Sequence, residues 1–309
     1  VMRDADTAMY QAKRAGKARH EVFDERMHSA AREMLRLETD LRKAVERDEL
    51  TICYQPIFDL LSDRIIGFES LARWNHVEMG FVSPSKFIPI AEEIGVIDRL
   101  CEQILRKACR DIGSLRDSFP TDQVPKLSVN LSCKQFSRMS LVRNIERILE
   151  ETQFSPNMLR FEITESVFVE HQARAIEMLR QFRASGIDIH IDDFGTGYSN
   201  LSYLMKLPIS TVKIDRSFVG MITGNGGNDD IVRAIVSLAR TLGLEVIAEG
   251  IETESQLRKL KQLGCDGGQG YYFAHPMGFA ELQTFVEQGQ SPRIPAGTLN
   301  GISNLPATQ

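Results

Sequence analysis

The chain has 309 residues, of which 42% are hydrophobic and 26% are charged, as is usual for a soluble globular protein with a sizeable core. Its formal net charge is −5, so it lacks the basic character that draws proteins onto DNA or RNA polymers. A small nucleotide ligand is compatible with this charge.

The cysteines and the hydropathy pattern favour a reducing, aqueous compartment. The five cysteines are scattered and form no CxxC pair, so we expect reduced thiols and no zinc site. No run of about eighteen apolar residues and no signal peptide is found, and we expect no membrane contact by this chain. The predicted location is cytoplasmic, and a membrane anchor elsewhere in a longer parent protein is compatible with it.

The first 47 residues predict helices that precede the main domain. Residues 1–24 favour a short helix that ends near Gly16, then a candidate strand at 20–23, a piece too small to bury a core alone. Residues 25–47 predict a charged linker helix. Because the chain opens inside a helical pattern, we expect it to be a piece of a longer protein. The apolar face predicted for the linker helix consists of Leu35, Leu37, Leu41 and Ala44.

From residue 48 to residue 287, strand-like apolar runs alternate with helical patterns. About eight strands over roughly 240 residues fit an α/β fold of the (β/α)8 TIM-like barrel type; the alternative is an open doubly wound sheet. The first two strands lie close together, with Ser62-Asp63 between them, which predicts a hairpin and one antiparallel strand. Residues 288–309, rich in Pro, Ser, Gly and Asn, predict a flexible tail. The predicted strands are 51–58, 64–72, 127–132, 159–164, 187–192, 211–215, 245–249 and 268–273, and the predicted helices are 85–94, 98–116, 140–152, 170–185, 229–243 and 253–263.

Five carboxylates stand at the ends of these apolar runs, where a barrel places its functional groups. Lys213 lies in the run TVKID, and Asn130 lies in the run KLSVN. A buried acid group of this size needs counter-charge, which two divalent cations and Lys213 would supply in full. The pattern therefore predicts a two-metal hydrolase site. The five carboxylates, hereafter the carboxylate cluster, are Glu69, Glu162, Asp192, Asp193 and Glu249.

The ligand types predict which ions bind. Oxygen ligands suit Mg²⁺ or Mn²⁺, and no histidine belongs to the set. Asp192 is the expected bridge between the ions. Neighbouring strand residues face opposite sides, so Asp192 and Asp193 can both reach the site only where the strand ends. The run FGTGY at 194–198 predicts a flexible loop beside the ions, and His190, on the same face as Asp192, is expected inside the barrel below it.

Each of these residues has a simpler interpretation when it is taken alone. A lone acid at a strand end is usually solvated or caps a helix, and the FGTG run is more often a plain turn. A lone lysine such as Lys213 is usually exposed, and we expect exposure of His275. Arg73 and Trp74 fit phosphate binding and base stacking as well as they fit packing. Only the complete set favours the metal site.

The chain resembles the EAL-domain cyclic di-GMP phosphodiesterases over about residues 35–285. The signature is Glu69-Ser70-Leu71, within the runs YQPIFDL and IIGFESLARW. Residues 5–13, ADTAMYQAK, resemble the last helix of a GGDEF domain, whose own signature is absent from this chain, so we expect no cyclase activity here. The further motifs are SVNLS at 128–132, FEITES at 161–166, IDDFGTGYSNLSYL at 191–204, LPISTVKID at 207–215, AEGIET at 248–253, GCDGGQGYYF at 264–273 and Pro276.

The resemblance implies two ions, Mg²⁺ or Mn²⁺, that share one ligand. Ca²⁺ is expected to inhibit, because its larger radius and looser geometry misplace the water. Waters would complete both shells. The implied ligands are Glu69, Asn130, Glu162 and Asp192 for one ion, and Asp192, Asp193 and Glu249 for the other.

The resemblance also implies roles beyond the metal ligands. Lys213 would contact the nucleophilic water or stabilise charge on the phosphoryl group, and Glu165 would hold the FGTGYS loop. Gln269 and Glu252 would position water or support the ligands. The implied catalytic set is Lys213, Glu249, Glu165 and Gln269, and the implied nucleotide contacts are Gln55, Leu71, Arg73, Asp215 and Pro276.

Two positions depart from the family pattern. Ser70 replaces the usual alanine of the signature, and Asn200 stands where serine is frequent. Because Ser70 neighbours Glu69 on a strand, its side chain should point away from the site. We expect little effect of either change on turnover.

The activity that the resemblance implies is hydrolysis of cyclic di-GMP to linear pGpG. It also implies a homodimer and a parent protein with upstream GGDEF and sensor domains. The rival hypotheses are a receptor that binds cyclic di-GMP without cleaving it and a protein-interaction scaffold. Such receptors usually lack metal ligands or the loop glutamate, whereas this chain keeps them all, which favours the enzyme. The sequence does not identify the general base.

Overall fold

A computed structural model of the chain describes residues 25–121, 123–138, 140–167, 172–197, 204–222 and 229–288. The helix and strand predicted within 1–24, the GGDEF-like run and the tail from 289 lie outside these ranges. The described residues divide into two compact units. One contains 25–50 and 74–100, and the other contains 51–73 and 101–288.

Eight strands of the second unit close into a barrel. Each pairs in parallel with its neighbours, except that β1 is antiparallel to both β2 and β9. Pairing of β1 with both of them closes the sheet, so the alternative of an open doubly wound sheet is wrong, and the (β/α)8 prediction with one antiparallel strand is confirmed. The strands are β1 Thr51–Asp59, β2 Ile65–His76, β4 Lys126–Asn130, β5 Leu159–Thr164, β6 Asp188–Phe194, β7 Thr211–Ile214, β8 Glu245–Ala248 and β9 Gly267–Gly268, and a further short strand, β3 Gly80–Val82, extends the end of β2 in the first unit.

Helices follow the strands as predicted, with two additions. The seven helices expected after residue 24 all form, with ends within two residues of the prediction. The sequence pattern did not reveal the short helix after β7 or the last helix. The helices are α1 Glu25–Glu46, α2 Pro84–Glu93, α3 Ile97–Ser114, α4 Leu141–Thr152, α5 Gln172–Ala184, α6 Arg216–Gly220, α7 Asp230–Thr241, α8 Glu254–Leu263 and α9 Phe279–Glu287. Among these, none is both long and apolar enough to cross a membrane.

The last predicted strand, 268–273, is mostly wrong. The regular strand is limited to Gly267–Gly268, and the Gln269 amide adds one bond to the Ala248 carbonyl at 2.9 Å. The chain then turns so that the Phe273 and Ala274 amides donate to the Gly270 carbonyl. Gly270 has φ 155°, and a Cβ there would lie 2.2 Å from the backbone of Ile251. This close approach of two backbones ends the strand, because only glycine fits.

In the first unit, α1 packs against α2. Lys86 Nζ donates to Glu33 Oε1 at 2.7 Å, and Arg42 Nη2 donates to the Ile94 carbonyl at 3.4 Å. Of the predicted apolar face of α1, Leu37, Leu41 and Ala44 are buried, but Leu35 is 64% exposed. Leu35 was wrongly included, since two helical residues that are two positions apart lie about 200° apart around the axis.

The barrel interior is polar, and its outer face is apolar. Phe161 on β5, for example, packs edge-on against Phe182 of α5 with ring centroids 5.0 Å apart. The alternate residues on the same strand, Arg160 and Glu162, point inward and are buried. Such barrels normally fill their interior with branched apolar side chains, so the polar interior of this barrel departs from ordinary core packing. Within the second unit, the buried polar residues on strands are Gln55, Glu69, Ser70, Ser128, Arg160, Glu162, His190, Thr211 and Lys213, of which Ser70 alone faces away from the interior.

Candidate active site

Lys213 is the centre of the carboxylate cluster. Its side chain is fully buried, and its Nζ lies 2.7 Å from Glu162 Oε2 and 2.5 Å from Glu249 Oε1. Asp192 Oδ1 is 3.2 Å away, and Glu69 Oε2 is 3.6 Å away. Burial alone would lower the pKa of Lys213, but the charges of these four acids raise it well above its ordinary value. Lys213 is therefore an ammonium at any physiological pH.

Two side-chain amides orient Glu69 at the end of its run on β2. Asn130 Nδ2 donates to Oε1 at 2.9 Å, and Gln269 Nε2 donates to Oε2 at 2.7 Å. Gln269 Nε2 also lies 3.2 Å from Glu249 Oε1. Burial opposes ionisation of Glu69, but Lys213 and the two amides hold its pKa below the usual range. Glu69 is therefore a fixed carboxylate that presents lone pairs to the site.

The cluster carries more negative charge than Lys213 can balance. Burial, with the charges of neighbouring acids, raises the pKa of Glu162 and holds that of Glu249 well above the usual range, although Lys213 opposes both shifts. Burial and the charges of Asp192 and Asp215 raise the pKa of Asp193 to about 6. Carboxyl groups that resist ionisation next to one another indicate missing positive charge.

Unpaired oxygens indicate that divalent cations fit here. Glu162 Oε1 is buried and accepts no hydrogen bond from any residue in the described ranges, and the buried Asp192 Oδ1 has only its 3.2 Å ion pair with Lys213 there. Asp192, Asp193 and Glu249 each offer an oxygen, and these three oxygens lie within 4.8 Å of one another. Free carboxylate oxygens at this spacing are the ligands that Mg²⁺ and Mn²⁺ prefer. The residues present therefore fit a metal centre.

A bulge, rather than the end of the strand, lets both aspartates reach the site. β6 continues to Phe194, and its register against β7 shifts between Ile191 and Phe194, which inserts one extra residue. Asp193 occupies this position with φ 52°, in the left-handed region. The predicted strand, 187–192, stops two residues before the observed end at Phe194. The expected consequence, two acids on one side, is produced by the left-handed residue Asp193.

Glu165 contacts the start of the loop that follows Asp193. Its Oε1 accepts from the Gly195 amide at 2.9 Å. A Cβ at Gly197 would lie 2.7 Å from Glu165 Oε2, so the loop backbone passes directly over this carboxylate. Gly195 has φ 96°, which any other residue would adopt with strain. The loop residues from Tyr198 to Tyr203, including Asn200, lie outside the described ranges.

The residues predicted to contact a nucleotide surround this end of the barrel with unequal exposure. Gln55 is buried, and its Nε2 donates to the Ala274 carbonyl at 3.1 Å. Leu71, Arg73 and Pro276 are half-buried. Asp215 caps α6, where its Oδ1 accepts from the Ser217 amide at 3.1 Å and from the Ser217 hydroxyl.

Trp74, Glu252 and Ser70, three further residues considered from the sequence, differ in their burial and in their contacts. Trp74 is 2% exposed and packs edge-on against Phe87, with ring centroids 6.1 Å apart, so it is a packing residue and not a base platform. Glu252 is exposed, and no hydrogen bond or ion pair within the described ranges joins its carboxylate to the cluster. Ser70 points away from the site as predicted, and its hydroxyl donates to the Ser128 carbonyl at 2.9 Å.

Two further predictions concern histidines. His190 is 2% exposed and stands two residues before Asp192 on β6, as the alternation predicted. His275 is exposed, as expected, and its ring lies 4.1 Å from that of Tyr271. Neither histidine hydrogen-bonds to the cluster within the described ranges.

The metal-free protein is expected to lose stability as the pH rises from about 7 to about 8.5. A carboxyl with a raised folded-state pKa contributes stability that is present below its unfolded pKa and is lost as the pH rises through its folded pKa. Glu162, with a pKa raised to about 8, titrates in this way, and the raised pKa of Glu249 acts in the same direction. Histidines in the unfolded chain are already mostly neutral across this window, so the lowered pKa of the buried His190 opposes the effect only slightly.

Thermal unfolding in EDTA at the two pH values, repeated with Mg²⁺, measures this prediction. Bound cations replace protons as counter-charge, so Mg²⁺ should raise the melting temperature more at the higher pH. The variant Glu162→Gln should show a weaker pH dependence without metal. Equal melting temperatures in EDTA at both pH values would contradict the excess of negative charge.

Comparison with known proteins gives one family. A model of the EAL domain matches residues 38–276. The chain is 40% identical over 286 residues to the bifunctional diguanylate cyclase/cyclic di-GMP phosphodiesterase MucR of Pseudomonas aeruginosa, covering 93% of this chain and 42% of that protein. It is 38% identical over 277 residues to the cyclic di-GMP phosphodiesterase PdeR of Escherichia coli, covering 90% of this chain and 41% of that protein. The chain thus spans less than half the length of these curated relatives.

Solved structures give the same result. The PaMucR phosphodiesterase in its c-di-GMP complex has a TM-score of 0.75 and 40% identity, covering 80% of this chain and 99% of that chain. The EAL enzyme Bd1971, in its cAMP- and cyclic-di-GMP-bound form, has a TM-score of 0.78 and 35% identity, covering 83% of this chain and 70% of that chain. The EAL-domain model matches most of this chain, and the chain has the same barrel as these enzymes. The chain therefore belongs to the EAL-domain family.

Proposed function

We propose that this chain is a metal-dependent phosphodiesterase that hydrolyses cyclic di-GMP to linear pGpG. The observation that carries the proposal is the buried carboxylate cluster around Lys213, with its excess negative charge and unpaired oxygens. The names of the relatives, cyclic di-GMP phosphodiesterases among them, supply the substrate. A receptor that only binds the nucleotide would have no need of this uncompensated charge.

The metal ligands we propose are those whose oxygens converge at the C-terminal end of the barrel strands. Mg²⁺ or Mn²⁺ held there would supply Lewis acidity and lower the pKa of a water. The Gln269 amide fixes Glu69 and approaches Glu249, so it would hold two ligands in one orientation. The proposed ligands are Glu69, Asn130, Glu162 and Asp192 for one ion, and Asp192, Asp193 and Glu249 for the other.

Lys213 would act as the fixed positive charge of the reaction centre. Its ammonium is held by Glu162 and Glu249 at hydrogen-bond distance, so it does not need to reorganise during the reaction. From this position it would orient the attacking water or stabilise charge that develops on the phosphoryl group. The ribose 3′ oxygen would leave as the water attacks the phosphorus in line.

The nucleotide would lie against the half-buried residues at the same end of the barrel. Arg73 presents a planar fork of donors that matches a phosphate. Asp215 accepts two hydrogen bonds through Oδ1, and its second oxygen would accept from a guanine edge. Gln55, Leu71 and Pro276 would complete the contacts, and the exposed Glu252 would act only through water.

Incubation of the purified chain with cyclic di-GMP and Mg²⁺ or Mn²⁺, followed by chromatography, tests the proposal. Appearance of pGpG that is lost in EDTA and in Glu69→Ala would support the enzyme. Saturable binding without product would favour the receptor instead. If adding the upstream domains of the parent protein then restores hydrolysis, the chain is an enzyme that needs an activating partner.

Ca²⁺ is expected to inhibit hydrolysis when it competes with Mg²⁺ for the same carboxylates. Ca²⁺ accepts more ligands at longer distances than Mg²⁺ does, so the attacking water loses its alignment. Initial rates at fixed Mg²⁺ with increasing Ca²⁺ measure the effect, and added Mg²⁺ should reverse it. Turnover with Ca²⁺ as the sole cation, at the rate seen with Mg²⁺, would be incompatible with the strict geometry proposed.

Replacing Glu165 by alanine is expected to lower the turnover number about 10- to 100-fold, as for other residues that orient a site without binding the metal. The change removes the acceptor of the Gly195 amide and frees the loop beside Asp193. Glu165→Gln keeps a carbonyl oxygen in the same place and should retain more activity. Steady-state kinetics compare the two variants; equal, wild-type turnover in both would remove the loop-holding role of Glu165.

The organisation of the longer protein is proposed on the resemblance. We propose that residues 1–24 are the end of a GGDEF domain, followed by a linker helix over 25–47, the EAL barrel over 48–287 and a tail over 288–309. The name of MucR, a bifunctional cyclase and phosphodiesterase, supports this arrangement. Sensor domains upstream stay a prediction. A homodimer also stays a prediction, and light scattering of the purified chain and of the longer protein would measure it.

A further inference from the structure

A second polar cavity lies at the opposite end of the barrel from the carboxylate cluster. Its volume is about 420 Å³, enough for several waters or for one small solute. The residues that line it come mainly from the N-terminal ends of the strands β4 to β8. They include Lys126, Arg160, Arg183, Asp188, Thr211 and Glu245. This basal cavity has no part in the proposed hydrolysis.

The guanidinium of Arg160 is the innermost charge of the basal cavity. Arg160 is only 8% exposed, and its Nε and Nη1 atoms are buried without a hydrogen-bond partner in the part of the chain that the structure describes. Gly67, on β2, makes room for it, since a Cβ there would lie 2.8 Å from Arg160 Nη1. A buried guanidinium with unused donors is a strong pointer to a missing acceptor.

Two further cations with spare donors line the same cavity. Lys126 Nζ donates to Asp188 Oδ2 at 2.5 Å, and Arg183 Nη1 donates to Asp188 Oδ1. Asp188 is thus neutralised from both sides, while lysine and arginine carry more donors than these single bonds use. Three cationic side chains face two carboxylates, of which Glu245 is exposed. The residues that line the cavity therefore carry more positive than negative charge, and the Nε and Nη1 donors of Arg160 among them have no acceptor in the described ranges.

We propose that the basal cavity binds a small oxyanion of the phosphate type, with Arg160 as its innermost donor and Arg183 and Lys126 at its mouth. A tetrahedral anion accepts hydrogen bonds in several directions at once, which suits donors from two strands, β4 and β5, and from the end of helix α5. Burial strengthens the charge-assisted bonds of Arg160, because little water competes with them, whereas Lys126 and Arg183 are partly exposed at the mouth. Water alone would solvate Arg160 but would leave the excess charge in place.

Titration of the EDTA-treated chain with inorganic phosphate, followed by calorimetry or ³¹P NMR, tests the proposal. Without metal, the carboxylate cluster repels phosphate, so binding there does not contribute. We expect saturable binding to the wild type that Arg160→Met abolishes and that Arg183→Gln weakens about tenfold, the share of one charge-assisted contact. The matched control is Arg180→Gln on the same helix, α5, where Arg180 is exposed and absent from the lining.

Several results of the phosphate titration would overturn the proposal, and each differs from the expected result. A flat titration of the wild type would show that the basal cavity holds only water, and would overturn the proposal. So would unchanged binding to a folded Arg160→Met variant, or displacement of phosphate by cyclic di-GMP, which would place the anion in the active site. Should Arg160→Met fail to fold, the comparison of Arg183→Gln with Arg180→Gln decides: equal affinities would overturn the proposal.

Discussion

Replacing Lys213 by methionine is expected to abolish hydrolysis and to destabilise the metal-free protein by about 3–5 kcal/mol, the usual cost of removing one partner from buried ion pairs. Methionine fills nearly the same volume without a charge. The loss exposes four neighbouring carboxylates to one another, since Glu162, Glu249, Asp192 and Glu69 all lie within 3.6 Å of the ammonium. The destabilisation should therefore be electrostatic rather than a packing defect.

Three measurements distinguish an electrostatic destabilisation of Lys213→Met from a packing defect. Urea unfolding gives the free energy of unfolding in EDTA, and the same experiment with Mg²⁺ should recover part of the loss, because added cations replace the missing charge. Lowering the pH from about 8 to about 6.5 should also recover part of it, as the exposed carboxyls take up protons. Lys107→Met, at an exposed position of α3, controls for the loss of a lysine. A Lys213→Met protein as stable as the wild type in EDTA would contradict the central role of this charge.

The polar interior of the barrel could be predicted from alternation along single strands. Glu162 stands two residues after Arg160 on β5, and Lys213 stands two residues after Thr211 on β7, so each pair faces the interior. At the carboxylate end this alternation predicts which residues meet, and the same alternation places Arg160 inside the other end of the barrel. Arg160 and the basal cavity were missed, although the run LRFEIT contains the signal.

Other features depend on contacts that a single strand or helix does not encode. The bulge at Asp193 depends on the register between β6 and β7, which only the pairing of the two strands defines. The early end of β9 follows from the approach of Gly270 to Ile251, two residues on different runs. The five residues of α6 are too few to show a helical period, and only the cap by Asp215 marks its start.

Replacing Glu69 by alanine is expected to reduce hydrolysis by more than about a hundredfold, beyond the range seen for groups that merely orient metal ligands. The variant loses a proposed ligand and also the acceptor of both the Asn130 and the Gln269 amides. The two amides are then free to turn, and the Gln269 contact with Glu249 at 3.2 Å loses its second anchor. A defect in metal binding should therefore accompany the loss of turnover.

The neighbouring residue offers a matched control for this variant. Ser70→Ala restores the usual residue of the family signature and removes only the hydrogen bond to the Ser128 carbonyl, at a cost of about 1 kcal/mol of stability. Because that bond lies on the opposite side of β2, hydrolysis and Mn²⁺ affinity should stay near the wild-type values. Calorimetric titration with Mn²⁺ and chromatography of pGpG compare the three proteins. If Glu69→Ala keeps wild-type Mn²⁺ affinity and wild-type turnover, Glu69 is not a metal ligand. If Ser70→Ala loses as much Mn²⁺ affinity and turnover as Glu69→Ala does, both effects come from a disturbed strand and not from a lost ligand.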